Sequence, residues 1–152
     1  MRALKVAVSV LATLVLLCAG AFARKHAPVP SELMQAKSVY ILNAAASSKD
    51  ARECAEELST WGRFKLVSDP KDADVIFRLS SGIVNGGMRV TNTSVSSTIY
   101  YMVTIQVLQR ASGNVLWSDT RAQQLFSSAA KSVVKELRKR VVEQDKAEGK
   151  VN

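Results

Sequence analysis

Few side chains in this sequence are equipped for covalent or acid–base chemistry. The single histidine, His26, lies in the segment Arg24–Pro30, where Pro28 and Pro30 read as a flexible lead-in rather than a folded site. Two cysteines, Cys18 and Cys54, are far apart and form no CxxC pair. A Ser-His-Asp triad or a Cys-His dyad needs a histidine held by folded elements, and none is on offer. Asp69, Asp72 and Asp74 are calcium-ligand types, but their spacing lacks the glycine and distal glutamate of an EF-hand loop, and Pro70 splits them. They read as turn and helix-start residues. Gly82, Gly86 and Gly87 do not make GxGxxG and read as a turn, and GxxxxGK[ST], GxSxG and HExxH are absent from the sequence. The sequence therefore predicts no catalytic residue, no metal ligand and no cofactor.

Binding chemistry is better represented. Lys131, Lys135, Arg138 and Lys139, with Arg140, fall on the outer face of a predicted carboxy-terminal helix. Such a row can contact phosphate-rich polymer, lipid headgroups or an acidic partner, or can be a solvated face whose cations suit the helix dipole. The second candidate is the polar stretch 80–97, with Arg89 and Asn92 as its binding residues. Asn92-Thr93-Ser94 also matches a glycosylation sequon. This composition predicts a polar loop or an exposed hairpin. Loops of this length are usually functional or disordered, and a strand edge beside one can accept a partner strand.

The elements that hold these residues follow from periodicity. Val39–Leu42 is an apolar run typical of a mostly buried strand. Ser47 offers a helix cap, and Ala51, Cys54, Ala55, Leu58 and Trp61 make one face of a helix over 48–61, ended by Gly62. Glu53, Glu56 and Glu57 take its outer face, and Cys54 is expected as a buried, inert thiol. A short strand over 64–68 stops at Pro70, residues 71–74 make a turn, and 75–79 make the next strand. The roughly 20 residues between the first two strands suit a helical crossover between parallel strands. Ile99, Tyr101, Val103, Ile105 and Val107 alternate along one face of a long strand, and Gly113 turns it into an antiparallel return over 115–119. Ala130, Val133, Val134, Leu137 and Val141 then define an amphipathic helix over 127–145, with a frayed tail over 146–152. The fold predicted is α+β, a mixed, largely antiparallel sheet of about 4–5 strands with both amphipathic helices packed on one face.

Residues 1–23 supply Arg2 and Lys5, the apolar run Val6–Leu17 and Ala21-Phe22-Ala23, which together read as a cleavable signal peptide. Cys18 is a poor lipidation site because Leu17, not a small residue, precedes it. An uncleaved anchor stays open, since Val6–Ala23 just reaches spanning length and Arg24-Lys25 resist translocation. Removal of 23 of the 152 residues leaves 129, organised as a lead-in over 24–36 and one domain over 37–145. At 47% hydrophobic and 22% charged, such a chain folds. The full chain is formally +8; without Arg2 and Lys5 it keeps 19 basic against 13 acidic residues, +6. Nucleic-acid binding is not expected, because Tyr40, Tyr100 and Tyr101 lack the context of an RNA-binding strand motif.

Ala73-Asp74-Val75-Ile76 entering a strand, followed by the hairpin Ser112-Gly113-Asn114-Val115-Leu116-Trp117, resembles the small α/β envelope domains of the TolB amino-terminal, LpoB and CsgG type over residues 37–145. That resemblance implies a non-catalytic periplasmic domain that docks onto other envelope proteins. The residues and the resemblance together predict an exported, periplasmic or outer-membrane-associated interaction module. The alternatives are a membrane-anchored binder of anionic envelope polymer and, less in keeping with the residues, an exported hydrolase.

Overall fold

A computed structural model describes residues 27–91, 93–123 and 128–150, with no side-chain description at 88–90. The signal segment 1–23, Cys18, His26, Asn92 and the side chain of Arg89 lie outside what is described. Among the described residues no helix is long and apolar enough to cross a membrane.

The elements run α1 (Ser31–Gln35), β1 (Ser38–Ala45), α2 (Ser48–Trp61), β2 (Lys65–Leu66), a 3-10 turn at Pro70–Asp72, β3 (Val75–Val90), β4 (Val95–Gln109), β5 (Val115–Ala122) and α3 (Ala129–Ala147). The strands form one sheet in the order β2-β1-β3-β4-β5. β1 is parallel to β2 and β3, while β3-β4 and β4-β5 are antiparallel. This is the α+β mixed sheet that the periodicities predict. Both long helices are capped by serine: Ser47 Oγ accepts from Asp50 N–H, and Ser128 Oγ accepts from Lys131 N–H. Gly62, at φ 70°, ends α2 with its N–H on Leu58 O.

Val39, Phe77, Leu79, Val103, Ile105 and Val107 line the covered face of the sheet and are fully buried. Leu58 from α2 and Leu137 from α3 fill the same core. Phe64 packs edge-on between Trp61 and Phe77, with ring centroids 5.2 and 6.0 Å away.

Two expectations need correction, and a third, left between two alternatives, is decided. The lead-in over 24–36 is not loose where it is described: residues 29–36 close the core, with Leu33 fully buried and Val29 and Ala36 nearly so. Val29 N–H donates to Gln144 Oε1 at 2.7 Å, Gln144 Nε2 returns to Val29 O at 3.2 Å, and Arg63 donates to Met34 O. The apolar residues at 29, 33 and 36 decide this segment's place. Residues 80–97 take the hairpin alternative: β3 and β4 stay paired from Val75↔Gln109 to Val90↔Val95. The glycines do not make its turn. Gly86-Gly87 form a bulge in β3 opposite Thr98, with Gly87 at φ 97°, and the turn lies at 91–94.

Candidate functional site

The basic row divides once its neighbours are in place. Lys131 Nζ lies 2.9 Å from Glu56 Oε2 of α2. That bond holds the Glu56 carboxyl below its usual range and raises the Lys131 ammonium. Lys139 Nζ is 4.0 Å from Glu143, and Arg140 is bound to Glu136 at 3.1 Å while its guanidinium lies 6.0 Å from the Trp117 ring centroid. Lys135 and Arg138 are exposed and have no acidic partner among the described residues. Four predicted contacts thus reduce to two free cations and two engaged ones, and exposed charge of this kind is screened over about 8 Å at physiological salt.

The other candidate is an arm. β1 accompanies β3 only as far as Ser80, and β5 accompanies β4 as far as Met102, with Gln123 N–H still on Tyr101 O. Beyond Tyr101, among the described residues, β3 and β4 pair only with each other, for about 20 Å to Val95 at 3.3 Å per residue. From Ser81 to Tyr101 its sequence holds one charged residue, Arg89, in a chain that is 22% charged. Facing residues in the pairing share a side of the sheet, which puts Ile83, Ile99 and Val95 on the helix side and Val84 and Tyr100 on the open side. Ile83 is 71% exposed, Val95 65% and Ile99 62%; Val84 and Tyr100 are exposed on the reverse. Any side chain at Gly86 would run into the Tyr100 ring, so the glycine lets that ring lie across the strand.

The arm is mounted on a polar joint. The Tyr101 hydroxyl bridges Asp50 Oδ2 at 3.0 Å and Ser81 Oγ at 2.7 Å. Ser47 Oγ donates to Asp50 Oδ2 at 2.6 Å, and Ser81 Oγ donates to Ala45 O at 3.0 Å. Asp50, only 3% exposed, therefore couples the start of α2 to both strands at the arm's root.

The remaining chemistry-bearing residues are occupied structurally. Asp69 caps the 3-10 turn through Lys71 N–H, and Asp74 accepts from the amides of Lys37 and Ser38 at 2.9 and 3.0 Å, which holds its carboxyl low. Glu53 accepts from Ser128 Oγ at 2.6 Å. Cys54 is buried and its thiol is pushed up to about 12 by desolvation, so it is chemically quiet. Among the described residues no group of three or more His, Cys, Asp or Glu is placed to hold a metal ion. Residue-by-residue reading passed over Ile83, Val84, Val95, Ile99 and Tyr100; the scarcity of charge from Ser81 to Tyr101, with Arg89 alone, was the signal that could have found them.

No family model matches the chain, and no curated protein does. Among solved structures it is similar to the PelC dodecamer from Paraburkholderia phytofirmans at 16% identity, covering 76% of this chain and 93% of that one with a TM-score of 0.42. Rare lipoprotein B from Shewanella oneidensis gives 17%, 72% and 89% with a TM-score of 0.41. A minor lipoprotein from Acinetobacter baumannii gives 18%, 74% and 94% with 0.39. Scores this low assign no function.

Proposed function

We propose that this chain is an exported, non-catalytic interaction module of the cell envelope, and that the β3-β4 arm is the surface with which it docks onto other envelope proteins. The observation that carries this reading is a two-stranded, nearly charge-free arm with exposed apolar residues on both sides. A lone hairpin in water is marginal, and contiguous exposed apolar surface marks an interaction site. The signal-like segment 1–23 supports export. Val29 sits beside Gln144 near the end of α3, whereas the arm leaves the sheet at the opposite end. The first described residues thus lie at one end of the sheet and the arm at the other. The narrower likeness to TolB, LpoB and CsgG domains belongs to this proposal.

Lys135 and Arg138, exposed side by side, favour a second reading: a membrane-anchored binder of anionic polymer or lipid headgroups. Salt separates the two. Capture of envelope proteins by the purified chain is measured at low and high salt, for wild type, a deletion of residues 86–96 and the pair Lys135→Glu/Lys139→Glu. Docking through the arm requires loss with the deletion at both salts and near wild-type capture by the charge-reversed pair. Capture that survives the deletion but disappears with charge reversal or added salt overturns the arm in favour of the basic face.

A further inference from the structure

The two edges of the arm differ. On β3 the Gly86-Gly87 bulge interrupts the ladder, which blunts that edge for further pairing. β4 is regular. Gln123 N–H donates to Tyr101 O at 2.7 Å, so the backbone groups of Tyr101 point to the β5 side. At the tip, Thr91 and Ser94 exchange backbone bonds at 2.8 and 3.4 Å, so Ser94 points to β3. Alternation from either end gives the same result: Val95, Ser97 and Ile99 turn their N–H and C=O outward. Among the described residues no strand lies there: the last described residue of the segment after β5, Gln123, stands opposite Tyr101. The slot is one strand wide, closed at one end by Gln123 and at the other by the tip turn.

We propose that the occupant of this slot is a second copy of the chain, its β4 pairing antiparallel with this β4 about a two-fold axis at Ser97. The proposal rests on the arm being the docking surface, and it assigns the outward edge of β4 within that surface to a second copy. Length argues for it: a two-fold axis at Ser97 sets Val95 opposite Ile99 of the second copy, so every outward group is used and Tyr101 keeps its bond to Gln123. Side chains argue for it as well. The register brings the exposed Val95 and Ile99 of both copies into one apolar stripe, and puts Ser96 opposite Thr98 of the second copy on the other side. In an isologous pairing any charge in the strand meets its own kind nearby, and Val95–Tyr101 carries none. The body's edges do not invite the same pairing: β5 bears Asp119 and Arg121, and β2 is only two residues long.

The mass of the purified chain in solution, followed against concentration by sedimentation, tests this. Ser97→Pro removes an outward donor and leaves the β3-β4 ladder intact, so the dimer dissociation constant should rise at least about tenfold. Ser97→Cys should cross-link as a dimer on mild oxidation, because facing hydrogen-bonded residues sit about 5.5 Å apart at Cα, within disulfide reach. Ser96→Cys should not, and buried Cys54 contributes no background. A single-chain mass at every concentration, an undisturbed Ser97→Pro dimer, or equal cross-linking at 96 and 97 overturns the proposal. A monomer whose capture of envelope proteins still depends on residues 86–96 rejects the second copy and keeps the docking surface. A monomer indifferent to that deletion rejects both.

Discussion

Asp50 lies buried beneath Tyr101, and its Oδ2 is met by the hydroxyls of Ser47 and Tyr101. Tyr101→Phe leaves that carboxyl short of a partner, and should cost about 1–3 kcal/mol in urea unfolding. An unchanged midpoint would mean that Asp50 is satisfied without the arm. Besides the exposed Glu56, two carboxylates give the acid limb of stability its direction. Asp74 is held low by the amides of Lys37 and Ser38, and Glu136 by the hydrogen bond from Arg140, with Arg121 adding to it against the cost of burial. Groups whose folded pKa is depressed stabilise fully above their unfolded values and lose that contribution as pH falls through the folded ones. Stability should therefore decline below about pH 4, and Asp74→Asn should flatten the decline. An identical slope in the variant removes Asp74 from the list of causes. At this scale the sequence was legible where one residue has one local task, as at Ser47 and Gly62. Asp74 was not legible in that way, because its partners lie 36 and 37 positions away.

Periodicity over many residues identified α2, β4 and α3; the structure places both helices within two residues of expectation and starts β4 at Val95, three residues before the alternation that begins at Thr98. Gly113, at φ 72°, turns β4 into β5 as its type implies. Short elements escaped for a physical reason: α1 has five residues, too few to show a period, and is held by tertiary contacts instead. Leu33→Ala should destabilise the chain by about 2–5 kcal/mol, as much as Leu58→Ala or Leu137→Ala in the long helices. Thermal or urea unfolding that moves by less than about 0.5 kcal/mol at Leu33 would return residues 29–36 to the status of a lead-in. The arm was half legible. Its Ser, Thr, Asn and Gly content reads equally as loop or exposed hairpin, and only the pairing from Asn85↔Ile99 through Val90↔Val95 decides between them.

The described residues have two poles, one where Val29 meets Gln144 and one where the arm leaves the sheet. Neither pole could be located from sequence, because one depends on a contact between Val29 and Gln144, 115 positions apart, and the other on where β1 and β5 stop accompanying the hairpin. The row on α3 was legible as a row, but its division into engaged and free cations was not, since Glu56 lies on another helix. Function follows from which surface is buried in the assembled state. A photo-reactive residue placed at position 99 on the arm, or at position 138 on the basic face, reports that directly in cells that make the protein. Docking through the arm predicts protein adducts from position 99 that persist when the cells are washed in high salt, with little from position 138. Adducts confined to position 138 and lost in high salt would contradict it.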